Sequence, residues 1–115
     1  VTVEKTAKYV GSGTLEVFAT PMLAALMENA AINALQLPED QTTVGTCLEI
    51  QHIAATPVGM KVWAEAEVIR EEGRKMVFHL NAYDEKEKIG EGRHERVIVS
   101  SERFMTKIND KKMRD

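Results

Sequence analysis

The chain has 115 residues, a formal net charge of −3 and 43% hydrophobic residues, which suits a single domain with its own core and leaves little room for a second. Its charges are interspersed and give no nucleic-acid footprint, and no run approaches the roughly 18 apolar residues of a membrane span. Cys47 is the only cysteine, which excludes an internal disulfide and favours a reducing compartment. With no basic-then-apolar signal pattern at the N-terminus, the expectation is a soluble, cytoplasmic, self-associating protein.

Residues 2–10, TVEKTAKYV, are compatible with a first strand, ended by the Gly11-Ser12-Gly13 breaker. The segment Ala19 to Leu37 reads as one long helix, with Pro21 suited to the first helical position and Thr20 to the N-cap. After Leu37-Pro38-Glu39-Asp40 the pattern becomes strand after strand. Thr43 to Ala54 alternates with Val44, Leu48 and Ile50 on one face. Thr56-Pro57-Val58-Gly59 turns the chain into Lys61 to Glu71, where Val62, Ala64, Ala66 and Val68 share a face. Glu72-Gly73-Arg74 leads into Lys75 to Asp84, with Met76, Phe78, Leu80 and Ala82 inward, and the charged turn Glu85 to Lys88 into a long last strand, Ile89 to about Lys107. One domain over residues 1–108 is expected, with 109–115 as a frayed tail. The order predicts α+β: an antiparallel meander of about five strands wrapped around one long helix, although a curved sheet with a helix across one face fits the pattern too.

Glu28 is the anomaly of the helix. At 100° per residue its i±3 and i±4 neighbours are Ala24, Ala25, Ala31 and Ile32, all apolar, whereas Asn29, Asn33 and Gln36 form a separate stripe. A carboxylate among alanines is costly unless paired or protonated, which marks it for acid–base or nucleophilic work. His52 shares strand parity with Val44, Leu48 and Ile50 and so projects toward the helix that carries Glu28; histidine suits proton transfer near neutral pH. Thr20 precedes Glu28 by eight residues, about 12 Å along the axis. Its hydroxyl serves either as an ordinary N-cap or as a donor at the helix's positive end. Gly45 interrupts a clean strand, as a bulge or a close backbone approach does.

Other groups read as bland. Cys47 lies on the parity opposite His52, His79 and His94 fall on less apolar faces as solvated or capping residues, and no histidine–cysteine grouping has zinc-ligand spacing. Met22, Met27 and Met76 are core filler. The glycines at 11–13 and 90–92 lack phosphate-loop spacing, and Arg93 and Arg96 either meet a phosphate or balance Glu91 and Glu95.

Taken together, Val17-Phe18-Ala19-Thr20, Leu26-Met27-Glu28, Gly45-Thr46, His52 with Ala54-Ala55-Thr56-Pro57, and the later Ile89-Gly90, Gly92 and His94-Glu95-Arg96 resemble the fluoroacetyl-CoA thioesterase-like proteins of the hotdog fold. The similarity spans about residues 15 to 105. It implies a Thr/Glu/His catalytic set at Thr20, Glu28 and His52, a glycine lining the thioester site at Gly45, and an arginine near the substrate at Arg96. It further implies a homodimer, or a dimer of dimers, with sites at the subunit interface and no metal or redox cofactor, CoA being part of the substrate. The family's enzyme carries a longer leader with lid phenylalanines, whereas here the region before Val17 is short and Phe18 is the first phenylalanine. The expected reaction is therefore hydrolysis of an acyl-CoA with a different, short acyl group. The competing readings are a hotdog acyl-CoA hydratase or dehydratase, whose motif is not found, and a non-catalytic acyl-CoA or small-ligand binding dimer.

Overall fold

In the computed structural model, which describes residues 1–113, one antiparallel sheet holds four strands: β1 (Gln41–His52), β2 (Val62–Glu72), β3 (Lys75–Asp84) and β4 (Lys88–Ser100). Their order across the sheet is β1-β4-β3-β2. The last three strands form the expected meander, but β1 does not neighbour β2: it pairs with β4, and the chain crosses between the sheet's two edges through residues 53–61. The helix α2 (Thr20–Asn33) is the element the sheet wraps, which is the hotdog arrangement. Leu23, Met27 and Ala31 of α2, together with Phe18, meet Met76, Phe78, Leu80 and Ala82 of β3 and Ile89 of β4 in the core. A methyl group at Gly90 would sit 2.9 Å from Leu23 Cδ2, so only glycine lets α2 approach β4 this closely.

The expected inward faces of β2 and β3 are present: Met76, Phe78, Leu80 and Ala82 are buried, and Val62, Ala64, Ala66 and Val68 pack against them. Two expectations at the chain ends are corrected. Residues 2–10 form a 3-10 turn at Val3–Lys5 and the one-turn helix α1 (Ala7–Val10), not a strand. Thr6 caps α1 by accepting from the Tyr9 amide, and Gly11 closes it at φ 88°. The last strand stops at Ser100, where the Ser100 hydroxyl accepts from the Arg103 amide and starts helix α3 (Ser101–Asn109). The sheet thus has four strands, not five. Asp110–Met113 of the expected frayed tail is a 3-10 turn, and the final two residues of that tail lie outside the described ones.

Buried Asp84 ties the crossing segment to the β3–β4 turn. Its Oδ2 accepts from the Thr56 hydroxyl at 2.8 Å, and its Oδ1 accepts from the Lys86 and Glu87 amides at 2.8 and 2.9 Å. Burial works against the charge, yet these donors and the nearby Lys86 ammonium outweigh it and hold the carboxyl below 3.8. A depressed carboxyl contributes stability that is fully present above its unfolded pKa and lost as pH falls through the lower native value. Asp84→Ala is expected to cost about 1–3 kcal/mol by leaving the Thr56 hydroxyl unmet, read as a lower urea midpoint at neutral pH; a midpoint equal to wild type would remove Asp84 from this role.

Candidate functional site

The start of α2 brings Thr20 to the end of β1. Ala19 occupies the N-cap position without a side-chain cap, and Thr20 is the first helical residue, followed by Pro21. The Thr20 hydroxyl does not cap the helix: Thr20 Oγ1 and His52 Nδ1 are hydrogen-bonded at 2.7 Å. The Phe18 ring meets the imidazole edge-on, with centroids 6.5 Å apart. Both residues open into a cavity of about 290 Å³, lined further by Val17, Ile53 and Ala54. His52 Nε2 is buried with no hydrogen-bond partner among the described residues. Burial pushes the imidazole below its ordinary value of 6.5, offset in part by a backbone hydrogen bond at Ala54.

Glu28 belongs to a second group. Its carboxylate is not buried among alanines, as the helical arc predicts. The buried stripe of α2 runs through Leu23, Met27 and Ala31, and the arc carrying Glu28 faces outward, with 43% of its side chain exposed beside exposed Ala25 and Ile32. The arc is apolar without being covered within one chain. Glu28 Oε2 stands 3.8 Å from Arg96 Nη1 of β4. Arg96 is 5% exposed, and its guanidinium is held by named acceptors: Nε donates to Thr43 Oγ1 at 2.8 Å and Nη2 to the Thr43 carbonyl at 2.9 Å. Burial disfavours its charge, and Glu28 opposes that effect.

Gly45 is where these groups converge. The β1–β4 register shifts between Gly45 and Cys47, so the expected bulge is present. A methyl group at Gly45 would lie 3.3 Å from Glu28 Oε2, 3.3 Å from Arg96 Nη1 and 3.2 Å from His94 Cε1, so the expected close approach is present as well. The bulge also corrects the parity of β1. Upstream of it Thr43, and not Val44, shares the inner face with Leu48, Ile50 and His52, as their partners Ile98, His94, Gly92 and Gly90 on β4 show. His94, expected on a solvated face, is 1% exposed on this inner face. Sequence reasoning missed Thr43 because a strict two-residue period across the bulge of β1 misplaces it, and missed His94 because its inner-face neighbours on β4, Gly90, Gly92 and Arg96, carry no apolar signal. His79, in contrast, is solvated and pairs with Glu91 at 3.0 Å, and Arg93 balances Glu95 at 3.1 Å.

Within one chain the structure therefore brings together Thr20 with His52, and Glu28 with Gly45 and Arg96, but no contact joins the two groups. Among the described residues no group of three or more His, Cys, Asp or Glu side chains could hold a metal ion, and no helix is long and apolar enough to cross a membrane. The His52 imidazole is expected to titrate below 6.5, so that the native state binds fewer protons than the unfolded chain and stability falls as pH drops through this window. Following its ring Cε1–H signal by NMR against pH checks this, and a midpoint above 6.5 would contradict the desolvated site.

The family model described as FlK, fluoroacetyl-CoA-specific thioesterase, matches residues 1–102. The fluoroacetyl-CoA thioesterase of Streptantibioticus cattleyicolor is 38% identical over 98 residues, covering 84% of this chain and 70% of the relative. A point variant of the FlK thioesterase solved in complex with fluoroacetate and CoA superposes with a TM-score of 0.84 at 34% identity, over 90% of each chain. A thioesterase superfamily member from Thermus thermophilus superposes with a TM-score of 0.90 at 29% identity, over 98% of this chain and 85% of that one. With the motif residues at the positions described above, the chain belongs to the fluoroacetyl-CoA-specific thioesterase family.

Proposed function

We propose that this protein hydrolyses a short-chain acyl-CoA thioester to the free acid and CoA, in sites completed by two copies of the chain. The observation that carries the reading is the pair of half-sites: a hydrogen-bonded Thr20–His52 pair at the start of α2, and Glu28 above Gly45 and Arg96 eight residues along the same helix. The rise of a helix separates the two along the axis by about 12 Å, too far for one substrate carbonyl to meet both. Glu28 stands on an uncovered apolar arc with Ala25 and Ile32. A second copy laid antiparallel on that arc sets its own helix start, with Thr20 and His52, beside Glu28 and gives two identical composite sites.

In such a site Glu28 either attacks the thioester carbonyl, forming an acyl–glutamyl anhydride as the carbon–sulfur bond breaks, or removes a proton from a water that attacks instead. The Thr20 hydroxyl orients the carbonyl, and His52 relays to the departing CoA thiolate the proton that the consumed water gives up. Arg96, held by Thr43, fixes the carboxylate opposite Gly45, whose missing side chain lets the carboxylate and the guanidinium come close to the β1 backbone. A backbone amide meets the developing oxyanion. The cavity of about 290 Å³ beside Thr20, walled by Phe18 and Val17, takes the acyl group. The relative solved with fluoroacetate and CoA supports the same substrate class.

Glu28→Ala and His52→Ala are each expected to lower kcat by about 100-fold or more against a panel of short acyl-CoA thioesters. A wild type that leaves every thioester intact would sink the hydrolase reading and favour a binding dimer, and a Glu28→Ala variant as active as the wild type would remove Glu28 from the catalytic set. Single turnover in oxygen-18 water then separates the two roles of Glu28: label in its carboxylate means an anhydride, and its absence means direct attack by water. Mixing the two inactive variants should recover up to about a quarter of wild-type activity, because a mixed dimer rebuilds one intact composite site. No recovery after subunit exchange would place each site within a single chain.

A further inference from the structure

We infer that His94 is a positioning residue for this reaction, acting through Arg96 on the Glu28 carboxylate, and that it does so as the neutral ring with its proton on Nδ1. The kinetic arm of this inference rests on the thioesterase reading; its spectroscopic arm does not. His94 is buried on the inner face of β4, opposite Leu48 of β1, with polar and aromatic partners from three strands. From β1 comes the Cys47 carbonyl, 2.7 Å from Nδ1. From β4 comes Arg96 Nη1, 3.0 Å from Nε2. From β3 the Phe78 ring lies against the imidazole with centroids 6.1 Å apart, and from α2 Glu28 reaches the same point above Gly45.

Two of these neighbours settle the proton. A carbonyl only accepts, so Nδ1 carries the hydrogen that meets Cys47. A guanidinium only donates, so Nε2 offers its lone pair to Arg96 Nη1–H. The ring is thus a relay of fixed polarity between β1 and the arginine. The planar fork of Arg96 is already pinned on its other side by Thr43 through Nε and Nη2. His94 takes up the remaining nitrogen, Nη1, which is the one that stands 3.8 Å from Glu28 Oε2. Without an acceptor at Nε2, the guanidinium loses its third anchor and the charge facing Glu28 is free to swing about the Thr43 contacts.

Two near-isosteres divide the ring's functions. An asparagine amide reaches the place of Nδ1 and keeps the tie to Cys47, but offers nothing to Arg96. A glutamine amide reaches the place of Nε2 and keeps an acceptor for Arg96. His94→Asn is expected to lower kcat about 10- to 100-fold with KM unchanged, and His94→Gln to stay within about 5-fold of wild type. In parallel, a long-range proton–nitrogen spectrum of the wild type is expected to show the third histidine, identified by its loss in His94→Gln, with a protonated Nδ1 and an unprotonated Nε2. Equal kcat for the two variants, or a proton on Nε2, would overturn the inference. A wild type that cleaves no thioester defeats the proposed activity, and the nitrogen spectrum alone then decides the state of His94.

Discussion

Burying a guanidinium costs several kcal/mol unless each of its donors finds an acceptor, and the inner face of β1 and β4 is built around meeting that demand for Arg96. Thr43 supplies two oxygens, His94 a nitrogen, and Glu28 the countercharge. These partners come from three different elements, so the arginine fixes strand β1, strand β4 and helix α2 against each other at one point. The same geometry crowds Gly45, where a methyl group would stand 3.2 to 3.3 Å from His94, Arg96 and Glu28. The bulge beside Gly45 then follows as a requirement: without it Thr43 would face away from Arg96, and the guanidinium would lose its principal acceptor.

That constraint also explains why one side of α2 is packed and the other is not. Leu23, Met27 and Ala31 are sealed against β3 and β4, which Gly90 allows by its lack of a side chain. Glu28 is drawn to the rim of the packed region by Arg96, with Ala25 and Ile32 left uncovered beside it. A helix with one sealed and one open apolar side, and with its carboxylate at the border, is what the proposed composite site asks of each copy.

Much of this was legible in the sequence, for identifiable reasons. The helix was marked by Pro21 and its long apolar run, and β2 and β3 by clean alternation, because their inner faces are lined by aliphatic and aromatic side chains without interruption. Glu28, His52 and Gly45 stood out as residues of the wrong kind for their place, whereas Thr20 read equally as an ordinary N-cap and Arg96 was singled out by the family resemblance alone. What was not legible depended on partners far away in sequence. Whether the arc around Glu28 is covered depends on tertiary packing, which helical periodicity does not carry. Thr43 is hidden by a one-residue bulge that inverts the two-residue period of β1, and His94 by inner-face neighbours, Gly92 and Arg96, that carry no apolar signal. The crossing from β1 to the far edge of the sheet is set by the pairing of β1 with β4, which local turn signals do not report. Ser100 is a good N-cap and the residues after it favour a helix, yet Val97, Ile98 and Val99 just before it carry the strand pattern straight through that boundary.

The first turn of α2 carries one more consequence. Pro21 has no amide hydrogen, and the amides of Met22 and Leu23 both turn back to the Ala19 carbonyl at 3.0 Å. Of the amides that ordinarily lie open at a helix start, Thr20's is therefore the one left over, directly beside its own hydroxyl. The partial positive charge of fourteen aligned peptide units is delivered to the surroundings through a single N–H rather than spread over three. An oxygen that gains negative charge at this spot meets a directional pole instead of a diffuse one, and a chain that spends its threonine on His52 instead of on a cap keeps that pole unobstructed.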